Sequence, residues 1–282
     1  MNINGILLIN KERGMSSNKV VNKVKYLVGA EKAGHLGTLD VLGEGLLPIT
    51  LGKSTKLFDY FLNKDKVYKT IFKFGETTAT LDLEGEVIQR NDVQVSMQML
   101  KQIIPQFVGR QSQMPPQYSA KKINGQKAYD LARKGEDVSL KPKEIEIYSI
   151  KVCQEVEDNT FELEVHCSSG TYIRSLCRDM ATQLSTFGVM RYIQRAKCGC
   201  FDIKDAYTIK QVEQKEYTII SPDKVFDLQS IFLDETEREL LLNGVIIKSK
   251  SQDGEYKVFQ DSVFLGIGEV CQGRLKLKLR LI

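Results

Sequence analysis

Apolar positions along the chain fall into blocks with two different periods. GILLIN, residues 5 to 10, is a continuous apolar run that predicts a buried strand. In SSNKVVNKVKYLVGA the apolar residues Val20, Val21, Val24, Leu27 and Val28 recur at helical spacing behind a serine cap, with Lys19, Lys23 and Lys25 on the other face. STKLFDYFL predicts a second helix with Leu57, Phe58, Phe61 and Leu62 on one side. The period then switches to two in VYKTIFKFG, which puts Tyr68, Thr70, Phe72 and Phe74 on one face of a strand. FELEVHC alternates in the same way, with Phe161, Leu163, Val165 and Cys167 inward and His166 on the polar, surface side. SSGTYIR turns from that strand into a helix that stacks Ile173, Leu176, Met180 and Leu184.

Between these blocks, residues 92 to 144 open helically and then run through MPPQYSAKKINGQKAYDLARKG. Pro115, Pro116 and Gly125 there predict an exposed loop with a short helix, an excursion from the core. From about 222 to 232 the pattern weakens, and the last fifty residues read as short strands separated by DG and QG turns, a small β module. No internal repeat and no low-complexity segment is present.

Composition narrows the class. At 282 residues, 42% hydrophobic and 27% charged, the chain has enough apolar material for a substantial core. No apolar run approaches the roughly 18 residues of a membrane span, and the apolar stretch in MNINGILLINKERG is too short for a signal peptide, so a cytoplasmic location is expected. The six cysteines are scattered, apart from Cys198 and Cys200, and form no CxxC pattern; reduced thiols and no metal site are expected. Net charge is only +4, but the basic residues cluster. Residues 118 to 134 hold Lys121, Lys122, Lys127, Arg133 and Lys134 against the single acid Asp130, with Tyr118 and Tyr129 interleaved. In GRLKLKLRLI, Arg274, Lys276, Lys278 and Arg280 alternate with leucines, as on a strand with one basic face. Any one such run reads as a solvated face; several together point to a nucleic acid.

The glycine-rich stretch GHLGTLDVLGEG, residues 34 to 45, needs a separate explanation. Phosphate cradling fails on spacing: Gly52-Lys53-Ser54 would end a Walker A loop, yet Leu47 stands where its first glycine belongs, and Pro48 stands where GxGxxG needs its last. A catalytic Ser-His-Asp set is implausible with two histidines, one of them on a strand's polar face, and no second carboxylate sits at an identifiable offset. Two readings of Asp40 remain open on the residues alone: a turn cap, or a carboxylate presented by a tightly turning backbone.

GHLGTLDVLGEGLLPITLGKSTK, KVYKT, PPQYSAKKINGQKAY and CSSGTYIRSL, in this order and at these separations, resemble the bacterial tRNA pseudouridine-55 synthases, the TruB family. The resemblance covers about Gly5 to Phe201, and the tail is similar to the small PUA-like domain that ends such enzymes. It implies an α+β pseudouridine synthase fold, with a mixed, mainly antiparallel central sheet flanked by helices. Residues 1–230 would form the catalytic domain with an RNA-binding insertion around 112–143, and residues 231–282 a PUA-like RNA-binding domain. The activity implied is isomerisation of uridine to pseudouridine in the T loop of tRNA, without cofactor or metal, by a monomer that needs no protein partner.

The same resemblance assigns roles. Asp40 falls on the catalytic aspartate, a nucleophile. Because a stacked base must be flipped out before it is attacked, the neighbours would serve the flipped uridine. His35 would occupy the space the uracil leaves, Tyr68 would stack on the base, and Tyr172 would line the pocket. Arg174 would pair with the aspartate and orient it. Ile193 would close the pocket's other side and Lys11 would support it. Lys121, Lys122 and Lys127, in the basic excursion, would contact phosphates, and the carboxy-terminal module would extend the contact toward the acceptor stem. Four positions depart from the family pattern: Val41 and Glu12 where proline is usual, Gln194-Arg195 where a pair of arginines is usual, and Leu36 where threonine is common. Val41 bears most directly on the pose of Asp40, since proline would restrict the residue before it. Two rival readings are a non-catalytic RNA-binding protein and a guide-dependent enzyme of the same fold.

Overall fold

A computed structural model describes residues 3–118, 122–123, 126–127 and 140–282. A nine-stranded sheet forms its centre. Seven strands lie side by side in the order Gly5–Lys11, Glu44–Leu51, Gly188–Cys198, Lys66–Phe74, Thr160–Cys167, Lys143–Glu157 and Gly109–Gln113. Neighbours run antiparallel except where Gln194 and Arg195 pair in parallel with Glu44 and Gly45. The sheet is therefore mixed and mainly antiparallel, as expected.

The alternation read from the sequence is what the sheet buries. Tyr68, Thr70, Phe72 and Phe74 face inward from one strand, and Phe161, Leu163, Val165 and Cys167 from its neighbour. Against this face pack Ile173, Leu176 and Met180 of the helix Ile173–Gln183, each side chain contributing roughly 1.5–3 kcal/mol by burial. The helix Ser17–Val28 lays Val20, Val21, Val24 and Val28 into the same core; Ser16 caps its start by accepting from the Lys19 amide, and Gly29 ends it at φ 70°. Around Phe58 the expectation fails. Residues Gly52–Leu57 form a 3₁₀ turn before the helix Phe58–Leu62, and the tighter winding brings Leu57 and Phe61 inward while Phe58 stays 42% exposed.

The basic excursion leaves the sheet at Gln113 and returns at Lys143, two residues that are themselves paired. Lys121 lies outside the described residues, as do residues 128–139, where the short helix is expected. Lys122–Ile123 and Gln126–Lys127 form a two-rung antiparallel ladder.

A second, five-stranded sheet begins at Ser230 and runs Ser230–Phe232, Gly254–Gln260, Val263–Cys271, Arg274–Arg280 and Ile247–Lys248 in spatial order. The expectation of strands alone over the last fifty residues is corrected by the helix Glu235–Leu242, which starts at a full capping box between Asp234 and Glu237. Ile267 and Leu281 of this C-terminal part share one apolar cluster with Ile6, Leu8, Leu46, Phe61 and Phe201 of the first. Lys56 also donates to the Arg280 carbonyl at 3.0 Å. Among the described residues, no helix is long and apolar enough to cross a membrane.

Candidate active site

Asp40 belongs to no helix or strand. Its segment joins the short strand Ala33–His35 to the strand Glu44–Leu51, and its position comes from neighbours that grip the backbone on both sides. Before it, the buried Ser17 hydroxyl accepts from the Leu39 amide at 2.9 Å and donates to the Leu39 carbonyl at 2.8 Å. After it, the Val41 carbonyl accepts from the Gly14 amide at 2.9 Å and from Lys11 Nζ at 3.3 Å. Lys11, fully buried, also donates to the carbonyls of Glu12 and Gly43. Burial pulls its pKa down to about 8 in spite of Asp40 and Glu44 nearby. Two glycines let the chain fit. At Gly45, φ is +95° and a Cβ would stand 2.6 Å from the Arg195 carbonyl oxygen; at Gly37, φ is +121°.

The carboxylate that results is half exposed at the edge of a cleft of about 470 Å³, and Arg174 Nη2 lies 2.9 Å from its Oδ2. Arg174 itself is buried at the first turn of its helix. Its other contacts fix the plane of the guanidinium: Asp82 Oδ2 at 3.4 Å, the Thr80 carbonyl at 2.9 Å and the Tyr118 carbonyl at 3.0 Å. Asp82, equally buried, accepts from the Thr80 hydroxyl at 2.6 Å and the Glu84 amide at 3.0 Å. One guanidinium thus serves two carboxylates, a fork that a planar group with five donors can fill and a lysine cannot.

Much of the remaining lining is apolar and aromatic. Tyr68, Tyr172, Ile173, Met190 and Ile193 line the cleft with Leu36 and Leu39. Burial pushes the Tyr68 hydroxyl up to about 12, so it stays protonated at neutral pH. Beside it the buried Arg195 donates from Nε to the Leu46 carbonyl at 2.8 Å and from Nη2 to the Gly37 carbonyl at 3.0 Å, pinning the glycine-rich stretch to the sheet. Lys66, also in the lining, is buried, and burial lowers its pKa.

Of the residues singled out in the sequence, Asp40, Tyr68, Tyr172, Arg174 and Ile193 converge on this cleft. His35, on its short strand, is not in the lining; burial and the Arg195 charge lower its pKa. Lys11 lies beneath the Asp40 segment rather than in the lining. The surface reading of His166 is incomplete, because its Nε2 meets Asp65 Oδ2 at 2.5 Å and its ring packs on Tyr148. Sequence reasoning missed Asp82, which reads as a turn residue in TLDLEGE, and the clamping role of Arg195. Among the described residues, no cluster of three histidine, cysteine or acidic side chains could hold a metal ion.

Comparison with known proteins now bears on this cleft. Residues 25–173 match the model of the TruB family pseudouridylate synthase N-terminal domain. The tRNA pseudouridine synthase B of Francisella philomiragia is 38% identical over 284 residues, which cover 98% of this chain and 94% of that protein. That of Caldanaerobacter subterraneus is 35% identical over 272 residues, 95% of each. Among solved structures, an H/ACA RNP bound to a substrate RNA containing 2′-deoxyuridine is similar with a TM-score of 0.71 at 17% identity, over 99% of this chain and 85% of that one. A Cbf5-Nop10-Gar1 complex gives 0.68 at 19%, over 98% and 79%. These two share the fold. With a family match across more than half its length and relatives at this identity from end to end, the chain belongs to the TruB family of pseudouridylate synthases.

Proposed function

We propose that Asp40 is the nucleophile with which this tRNA pseudouridine synthase isomerises uridine, and that its target is position 55 in the T loop. One observation carries the reading: a half-exposed carboxylate held by a buried guanidinium at 2.9 Å, at a cleft that Tyr68 and Ile193 also line. The reaction breaks the bond from N1 to the ribose C1′, rotates the uracil and joins C5 to C1′; C5 loses a proton and N1 gains one. No electrons are exchanged, so the chemistry calls for no redox cofactor.

Each neighbour has a part. Stacking on Tyr68, worth about 1–3 kcal/mol, offsets part of the cost of unstacking the base. Tyr172 and Ile193 hold the freed uracil while it turns, and His35, whose pKa burial lowers, fills the gap left in the loop. Arg174 pairs with the Asp40 carboxylate and holds it oriented. Lys11 acts from below, through the backbone. Outside the cleft, Lys121, Lys122 and Lys127 contact phosphates, and the C-terminal part, a PUA-like domain over residues 231–282, reaches toward the acceptor stem. The enzyme works in the cytoplasm as a monomer without a protein partner.

Release of tritium from C5-labelled uridine in unmodified tRNA, with EDTA present and no added cofactor, tests the reading. The wild type should release label and Asp40→Asn should not, while both bind tRNA within a few fold of each other. Release by both would remove Asp40 from the chemistry.

A further inference from the structure

We infer that Ser17 is a positioning residue for Asp40, an assignment that rests on the nucleophilic reading of that carboxylate. Asp40 lies in no strand: its carbonyl accepts from the Gly43 amide at 3.0 Å, and the chain on its amino-terminal side is held through Leu39. The Ser17 hydroxyl both accepts from the Leu39 amide and donates to the Leu39 carbonyl, at 2.9 and 2.8 Å, in a site where Ser17 is 2% exposed. A single side chain does for Leu39 what a neighbouring strand would do, satisfying both backbone groups of the residue directly before the nucleophile. Ala, Gly and Val lack the hydroxyl's paired donor and acceptor.

The hydroxyl is free for this task because the helix cap is made next door. Ser16, not Ser17, accepts from the Lys19 amide. The Leu39 side chain is itself buried in the core beside the helix that carries Ser17, so the clamp and the clamped residue share one rigid support. Val41, unlike a proline, leaves the backbone of residue 40 unrestricted, so hydrogen bonds on either side supply the constraint. Gly14 and Lys11 supply them after Asp40, and among the described residues Ser17 supplies them at Leu39. A shift of about 1 Å at a reacting group costs on the order of 100-fold in rate, so losing this clamp should register in the chemical step before it registers in binding.

Ser17→Ala and Asp40→Asn, in the full chain, are compared with wild type by single-turnover tritium release, by KM and tRNA Kd, and by amide hydrogen exchange over residues 36–43. Ser17→Ala should lower the single-turnover rate about 10- to 100-fold, leave KM and Kd within about threefold, and speed exchange at Leu39 and Asp40. A rate within twofold of wild type overturns the inference, as does a rate that falls only in proportion to the folded, tRNA-binding fraction. Should Ser17→Ala not accumulate folded, Ser17→Cys fills the same space with a weak hydrogen-bonding group and carries the same expectation. A wild type that releases no tritium overturns the underlying reading instead; an active wild type, an inactive Asp40→Asn and an unaffected Ser17→Ala overturn the role of Ser17 alone.

Discussion

Arg174 holds Asp40, Asp82 and two carbonyls at once, and the consequences of changing it follow from that count. Arg174→Lys keeps the charge but loses the fork, so turnover in the tritium assay should fall at least about 100-fold while the protein stays folded. Arg174→Ala should in addition destabilise the chain by about 3–5 kcal/mol in urea denaturation, because Asp82 is left buried without its partner. Lys11 gives a pH signature. Its folded pKa, near 8, lies below the 10.5 of the free side chain, so between those values the unfolded chain holds a proton that the folded one has released. Stability should therefore rise with pH across that window, flat below it, and Lys11→Met should show a smaller rise when both are denatured in urea at pH 7.5 and 10. Burial lowers Lys66 in the same sense, which is why the difference between the two proteins is the quantity to read. At this scale the residues that face the cleft were legible through the family motifs. Asp82 and Arg195 were not, because nothing in TLDLEGE or IQRAK announces that a distant helix or a glycine-rich segment will close over them.

Among elements, the period-two strands and the helices with a clear apolar stripe were legible from the sequence, and the exceptions have causes. Glu235–Leu242 carries its leucines together at its end, so no helical stripe forms; the D-x-x-E box at Asp234 and Glu237 was the available signal. Phe58 was misplaced by one 3₁₀ turn upstream. The junction between Glu44–Leu51 and Gly188–Cys198 depends on a glycine for reasons a pattern of apolar positions does not encode. A Cβ at Gly45 would strike the Arg195 carbonyl, and φ of +95° is strained for any other residue. Gly45→Ala should cost well over about 1 kcal/mol, lowering Tm by more than about 2–4 °C, and should reduce turnover by displacing Arg195 from the Gly37 carbonyl.

For the whole molecule, the mild net charge of +4 conceals a local basic segment, and its contribution is best measured against salt. Lys122→Ala and Lys127→Ala should each reduce the slope of log affinity for tRNA against log salt by about 1, without altering the rate of the chemical step once tRNA is bound. The two sheets were legible as a larger body and a smaller β-rich one, but not their attachment, since Ile267 and Leu281 look like ordinary strand residues until they are found against Ile6, Leu8 and Phe61. That shared cluster joins positions some 270 residues apart, near the greatest separation the chain allows. During synthesis, therefore, the cluster that Leu36, Leu46, Leu57 and Phe201 build around Ile6, Leu8 and Phe61 lacks the share of its cover that Ile267 and Leu281 supply until those late residues emerge, and that closing contact spans a long loop. Refolding should end in a slow step that Ile267→Ala retards, and nascent chains halted near residue 230 should be the form that chaperones hold.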